Sequence, residues 1–338
     1  MVMEIEKIAL QMLASGKGIL ATDESTGTMT KRLDSVKVSS TEENRLGFRE
    51  TLFTSSKVGS YVSGVILYDE TIKQKSSNGD TIPELLNKQN ILPGIKVDAG
   101  TKPLDGSPDE LYTDGLTGLS ERLKEYYNLG ARFTKWRAVY KISKDHPSQN
   151  AITTNAKSLA KYAALVQEAN MVPIVEPEVL MDGNHDINKC FEVTSAVLKE
   201  CFQELKNEKV KMQGIVLKPN MILNGADSGL KNEPAIVAAK TLECLKNNVP
   251  KEVPGIAFLS GGQSELGATT NLNEINKIND TKLIFTFSYG RALQQGALKQ
   301  WAKNIHDKKA TQSVFSHRAY MNSLAATGSW KQDKEVLS

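Results

Sequence analysis

The chain has 338 residues, of which 40% are hydrophobic and 24% charged, with a net charge of +3 at neutral pH. That length supports a large core, in one barrel-sized domain or two smaller ones, and the ordinary composition argues against disorder. The small net charge without a polybasic tract argues against a nucleic-acid partner.

Residues 4–15 space Ile5, Ile8, Ala9, Met12 and Leu13 as one helix face. A first apolar run, Gly18 to Thr22, ends at Asp23, before the turn-rich Glu24 to Thr28 and the cations Lys31 and Arg32. Thr41, Glu42 and Glu43 cap a predicted helix over 41–58. The second run, Val62 to Tyr68, stops at Asp69, and 81–89 form a short helical link. The third run is Leu92 to Asp98; a helix over 113–129 leads into the fourth, Ala131 to Val139. Helices are predicted over 151–169 and 186–206, separated by the fifth run, Met171 to Val179. Gly214 to Leu217 is the sixth run, closed by Lys218 and turned by Pro219 and Asn220. A helix over 233–246 precedes the seventh run, Gly255 to Leu259, and a short helix over 271–278 precedes the eighth, Leu283 to Phe287. Helices over 291–304 and 310–326 complete the pattern.

Eight strand-like runs alternating with helices imply a parallel sheet and fit a single α/β domain, a closed (β/α)8 TIM barrel over 1–326. A flexible polar tail is expected over 327–338. An open doubly wound sheet is the alternative, but Gly16-Lys-Gly18 precedes the first strand, so the Gly-x-Gly-x-x-Gly fingerprint is missing. Cys190, Cys201 and Cys244 make an odd count without a CxxC pair, which favours buried free thiols over disulfides or zinc ligands. Cys190 and Cys201, eleven residues apart, are expected on one buried helix face. The four histidines lack HxH or HExxH spacing, so no metal site is expected. Acids in the opening Met-Val-Met-Glu-Ile-Glu-Lys do not suit a signal peptide, and no apolar run approaches the roughly 18 residues of a membrane span. A cytoplasmic protein without membrane insertion is expected.

In such barrels the active site forms where strands end, and the polar residues of this chain fall there. Strand one ends at Asp23, strand three at Lys96 and Asp98, and strand four holds Lys135 and Arg137. Strand five carries Glu176 and Glu178, strand six Lys218, strand seven Ser260-Gly261-Gly262, and strand eight Ser288 and Arg291. Alternate residues face one side, so Lys135 pairs with Arg137 and Glu176 with Glu178. Each residue alone has a plainer explanation, as a cap, an ion pair or a turn; their recurrence at one end of most strands does not. A buried ammonium is costly, and an uncharged lysine can form a Schiff base with a carbonyl, which singles out Lys218.

Seven cations (Lys31, Arg32, Lys96, Lys135, Arg137, Lys218, Arg291) against three acids (Asp23, Glu176, Glu178) give an expected local charge of +4. A sugar bisphosphate, at about −1.5 to −2 per phosphoryl group, matches it. Backbone N–H groups of Ser260-Gly261-Gly262 and Tyr289-Gly290-Arg291 are placed to cradle one phosphate.

The segments Gly18-Ile-Leu-Ala-Thr-Asp-Glu-Ser-Thr-Gly27, Gly94-Ile-Lys-Val-Asp98, Phe133-Thr-Lys-Trp-Arg137, Val172-Pro-Ile-Val-Glu-Pro-Glu178, Leu217-Lys-Pro-Asn220, Phe258-Leu-Ser-Gly-Gly-Gln-Ser264 and Phe287-Ser-Tyr-Gly-Arg291 resemble class I fructose-1,6-bisphosphate aldolase. The resemblance runs from about residue 4 to residue 326. It implies that Lys218 forms the Schiff base with the C2 ketone. Glu176 relays protons with help from Glu178 and Lys135, and Asp23 takes the C4 hydroxyl proton. It places Ser260, Gly261, Gly262, Ser288, Gly290 and Arg291 at the C1 phosphate. Ser25, Thr28, Arg32 and Lys96 fall toward the C6 phosphate, and Arg137 contacts substrate. No cofactor or metal is implied, because an iminium is itself the electron sink. A homotetramer and secondary binding to cytoskeletal or acidic-tail proteins follow by the same resemblance.

Three departures stand out. Thr28 replaces a frequent Ser but keeps the hydroxyl; Ala99 replaces a frequent Lys, which weakens C6-phosphate attraction. Lys-Glu-Val-Leu-Ser338 lacks the longer tail ending in Tyr of eukaryotic members. A transaldolase-like or deoxyribose-phosphate aldolase-like Schiff-base barrel is the competing enzyme reading, and a scaffold using the basic face is the non-enzymatic one.

Overall fold

Inward-facing residues of the strands fall on every second position, and this alternation builds the molecule. In the computed structural model, which describes residues 3–336, the strands are β1 Gly18–Ala21, β2 Val62–Leu67, β3 Leu92–Lys96, β4 Thr101–Leu104, β5 Ser107–Thr113, β6 Phe133–Tyr140, β7 Val172–Val179, β8 Val216–Leu217, β9 Gly255–Phe258 and β10 Ile284–Tyr289. Eight of them close a parallel barrel in the order β1-β2-β3-β6-β7-β8-β9-β10, with β10 pairing back onto β1 at Ile19–Ser288 and Leu20–Tyr289. The predicted single (β/α)8 barrel is the observed fold.

Two apolar layers follow from the pleat. Ile19, Ala21, Ile66, Leu92, Phe133, Val172, Ile174, Val216 and Ala257 form the inner cluster. The helix Glu4–Met12 joins that cluster through Ile5, Ile8, Ala9 and Met12. Leu20, Val65, Leu67, Trp136, Ala138 and Val175 belong instead to the layer between barrel and helices. The Phe133 ring occupies the space a side chain would need at Gly94, where a Cβ would lie 2.2 Å from it.

The long helices stand close to where periodicity predicts them, at Gln149–Glu168, Ile187–Asn207, Pro234–Asn248, Arg291–Lys303 and Lys308–Ala325. Cys190 and Cys201 share the buried face of Ile187–Asn207, and all three cysteines are free and buried.

Four local expectations are corrected. The turn-rich stretch after Glu24 is a helix, Thr26–Ser35, started by Ser25, whose side chain accepts from the Thr28 N–H. Only Met29 and Leu33 bury a face there, so its apolar periodicity is weak. The expected helix over 113–129 begins only at Leu119, because an antiparallel hairpin of β4 and β5 occupies 101–113. Asp105-Gly106 is its turn. The helix expected over 41–58 ends at Phe53, and the one expected from 271 starts at Glu265, capped by Ser264.

Past the last long helix, Trp330 is 7% exposed. Its indole N–H donates to Glu335 at 2.9 Å, and Glu335 also receives both terminal nitrogens of Arg318. This segment is therefore tied to the helix Lys308–Ala325 through Trp330 and Glu335. Residues 337–338 lie outside the described residues. Among the described residues, no helix is long and apolar enough to cross a membrane.

Candidate active site

The inward alternation continues past the apolar layer into ionisable side chains. Phe133 is followed at i+2 and i+4 by Lys135 and Arg137, and Ile174 by Glu176 and Glu178. Val216 leads to Lys218, and Ala21 to Asp23. The residues that close the barrel below thus dictate which side chains meet at its C-terminal mouth. They converge on a cavity of about 480 Å³.

At its base Lys218 is 4% exposed, and its Nζ lies 3.0 Å from Glu176 Oε1. Glu176 Oε2 lies 3.5 Å from Lys135 Nζ, so one carboxyl group bridges two buried lysine side chains. Lys135 also pairs with Asp23 at 2.7 Å and Asp98 at 3.9 Å. Lys96 binds Asp98 at 2.6 Å, and Arg137 Nε donates to Glu178. Around the rim, Arg32 pairs with Glu24, and the Ser25 and Thr28 hydroxyls are 3.1 Å apart.

Burial alone would push the Asp23 carboxyl up. The charges of Lys135, Lys218 and Lys96, with the Lys135 hydrogen bond, outweigh burial and hold it well below the usual carboxylate range. Burial would likewise lower Lys135, but Asp23, Glu176 and Asp98 raise it far above an ordinary lysine. Arg137 is raised against its own desolvation, chiefly by Glu178. Asp23 is therefore a standing carboxylate and Lys135 a standing cation.

The loops after β9 and β10 have a different character. Gly261 and Gly262 take positive φ of 53° and 89°, a conformation glycine accepts without strain, and this turns successive backbone N–H groups along the loop. Gly290 precedes the helix Arg291–Lys303, whose N-terminus favours an anion. Ser288 Oγ is buried without a hydrogen-bond partner.

Of the residues singled out for this site in the sequence, Lys31, Gly262 and Tyr289 do not line the cavity and the others do. Lys31, included in the expected charge of +4, is exposed outside it. Glu24 and Asp98, absent from that count, line the wall. Six cations thus face five carboxylates, for a net of +1, because most cations arrive already paired. Among the described residues, Arg291 is the lining cation without a carboxylate partner.

Three further side chains support the wall. Buried Arg49 donates to the Glu24 carbonyl and to Thr71, both at 2.9 Å. Gln294 reaches Ala21 O and Glu24. Asp98 accepts from the Gly100 and Arg137 N–H groups. Asp98 was visible as the i+2 partner of Lys96; Arg49 and Gln294 carry no local signal, since their partners lie at least 22 and at least 270 residues away. Among the described residues, no group of three or more His, Cys, Asp or Glu is arranged to hold a metal ion.

Residues 4–337 match the family described as glycolytic class-I fructose-bisphosphate aldolase. The chain is 49% identical over 329 residues to a probable fructose-bisphosphate aldolase class 1 of Xanthomonas axonopodis pv. citri, covering 97% of this chain and 98% of that protein. It is also 49% identical over 322 residues to cytosolic fructose-bisphosphate aldolase 4 of Arabidopsis thaliana, covering 95% of this chain and 82% of that one. A solved fructose-bisphosphate aldolase from Plasmodium falciparum, in complex with TRAP and a small-molecule inhibitor, superposes with a TM-score of 0.95. It is 44% identical, over 97% of this chain and 95% of that one.

Proposed function

The chain belongs to the class I fructose-bisphosphate aldolase family, and we propose that Lys218 is the amine through which it works. The protein is an aldehyde-lyase that reversibly cleaves fructose 1,6-bisphosphate to dihydroxyacetone phosphate and glyceraldehyde 3-phosphate, in glycolysis and gluconeogenesis.

In the proposed mechanism Glu176 Oε1, 3.0 Å from Lys218 Nζ, takes the ammonium proton, and the freed amine adds to the C2 carbonyl. Glu176, beside Lys135 and assisted by Glu178, passes that proton to the carbinolamine oxygen and then transfers a second one to it from the added nitrogen. That oxygen leaves as water, and an iminium forms. Asp23 accepts the C4 hydroxyl proton while the C3–C4 bonding electrons move into the iminium. Glyceraldehyde 3-phosphate departs, and an enamine remains on Lys218. Protonation at C3 and hydrolysis release dihydroxyacetone phosphate and the amine.

The same lysine field that keeps Asp23 ionised weakens it as a base. The proton transfer therefore runs together with bond cleavage, when the C4 oxygen becomes a carbonyl. Ser260, Gly261, Gly262, Ser288, Gly290 and Arg291 hold the C1 phosphate in this reading. Ser25, Thr28, Arg32 and Lys96 serve the C6 phosphate, and Arg137 orients the sugar through its tie to Glu178.

The observation that carries this assignment is a buried lysine in contact with a buried carboxylate, at the end of an inward series, in a cavity also lined by Arg291, which has no carboxylate partner among the described residues. Borohydride reduction with fructose 1,6-bisphosphate, followed by peptide mass mapping, should find the adduct on Lys218. An adduct on Lys96 or Lys135 would overturn the assignment.

The cytosolic relative supports a cytoplasmic location. The family resemblance supports a homotetramer, which light scattering would measure at four times the 37.1 kDa chain mass. The TRAP complex of the Plasmodium protein supports a secondary role in binding acidic-tail or cytoskeletal proteins at the cationic mouth. Lys218→Ala should abolish cleavage while sparing such binding.

A further inference from the structure

We infer that Gln294 is a positioning residue that lets Arg32 exchange between a resting carboxylate and a substrate phosphate. The inference rests on the reading of Arg32 as a phosphate-binding side chain. Gln294 lies one turn into the helix that begins at Arg291 and is 2% exposed. Its Nε2 donates to Ala21 O at 2.5 Å and to Glu24 Oε1 at 3.3 Å. The same Oε1 accepts from Arg32 Nη1. A Cβ added at Gly290 would meet Ala21 O at 3.5 Å, Arg32 Nη2 at 3.7 Å and Gln294 Nε2 at 4.0 Å. One buried amide therefore stands where the end of β1, the guanidinium of Arg32 and the loop after β10 come together.

Glu24 is buried, and its oxygens differ. Among the described residues Oε2 has no hydrogen-bond partner and lies 3.6 Å from Arg49 Nη2. Oε1 depends on Arg32 and Gln294. If Arg32 turns to a phosphate, Oε1 loses its charged donor, and a buried acceptor left unmade is costly. Gln294 is the donor that stays. It keeps the carboxylate satisfied and anchored to the β1 carbonyl, so Arg32 leaves without drawing Glu24 after it. Without the amide, Arg32 is held more tightly at rest, and recruiting it weakens substrate binding rather than the bond-breaking step.

In Gln294→Leu, KM for fructose 1,6-bisphosphate should rise about tenfold, the scale of one buried unsatisfied acceptor, with kcat within about threefold of the parent. Gln294→Glu keeps the shape, removes the donor and adds a charge that also holds Arg32; it should raise KM at least as much. It serves if the leucine variant fails to fold. A packing role would act regardless of Arg32, so the deciding measurement is the cycle with Arg32→Gln. In that background the Gln294 substitution should change KM less than twofold. An equal rise in both backgrounds, an unchanged KM in the single variants, or a fall in kcat at constant KM would each overturn the inference. Borohydride trapping of Lys218 in the same variants tests the Schiff-base reading separately, so either can fail while the other stands.

Discussion

At the residue scale the site is a compensated charge lattice. Asp23 and Lys135 depend on each other, and the linkage has a definite sign. Asp23 is held below its ordinary 3.8, so its contribution to stability is full above about pH 4 and is lost as the pH falls toward the folded value. Lys135 is held above its ordinary 10.5, so its contribution is full below that pH and is lost only as the pH rises through the folded value. Thermal denaturation should therefore show a plateau from this pair between those limits. Lys135→Met should flatten the acid limb and, by leaving a buried carboxylate short of its partner, lower stability by about 3–5 kcal/mol. An acid limb of unchanged slope would remove Lys135 as the cause of the Asp23 depression.

Much of this lattice was legible, because strand alternation names every second side chain and the acids and bases fall on the inward set. The net charge was not. Glu24 stood beside Asp23 in the sequence, but its role comes from Arg32, Arg49 and Gln294, residues that only chain folding brings to it.

At the scale of elements, the barrel interior sets the height at which chemistry begins. The Phe133 ring lies over Gly94 so closely that a methyl there would overlap it. Gly94→Ala should cost roughly 1–3 kcal/mol by overpacking, read as a fall in the denaturant midpoint. The additional Phe133→Leu substitution should restore part of it, and additive losses would show that the two do not compete for space. The hairpin β4–β5 and the helix Thr26–Ser35 escaped the sequence reading for different reasons. The hairpin buries Leu104, Glu110 and Thr113 but leaves much of its surface in water, which blurs the period-two pattern. The helix Thr26–Ser35 relies on a Ser25 cap and two buried side chains, too few to produce a periodic signal.

At the scale of the whole molecule, the segment after the last long helix is part of the fold. Trp330 is largely buried and tied through Glu335 to Arg318. Trp330→Ala should cost about 3–5 kcal/mol, measurable by chemical denaturation, while the Lys218 adduct still forms. A cost below about 1 kcal/mol would mean the indole is not held as described. Activity should persist in EDTA, since the proposed iminium serves as the electron sink; strong inhibition by the chelator would count against that mechanism.

The sequence by itself determined the barrel, the identity of the lysine at the sixth run and the sidedness of the acids and bases near it. All three follow from short-range rules: period-two alternation, helix periodicity and the position of turns. Tertiary structure alone decided how those charges are spent. Closure of β10 onto β1 brings residues some 270 positions apart within hydrogen-bonding distance. Only there does the charge count of the cavity wall become a set of pairs with, among the described residues, Arg291 left over. Electrostatic energies depend on distance and burial in space, and neither is written in local order along the chain.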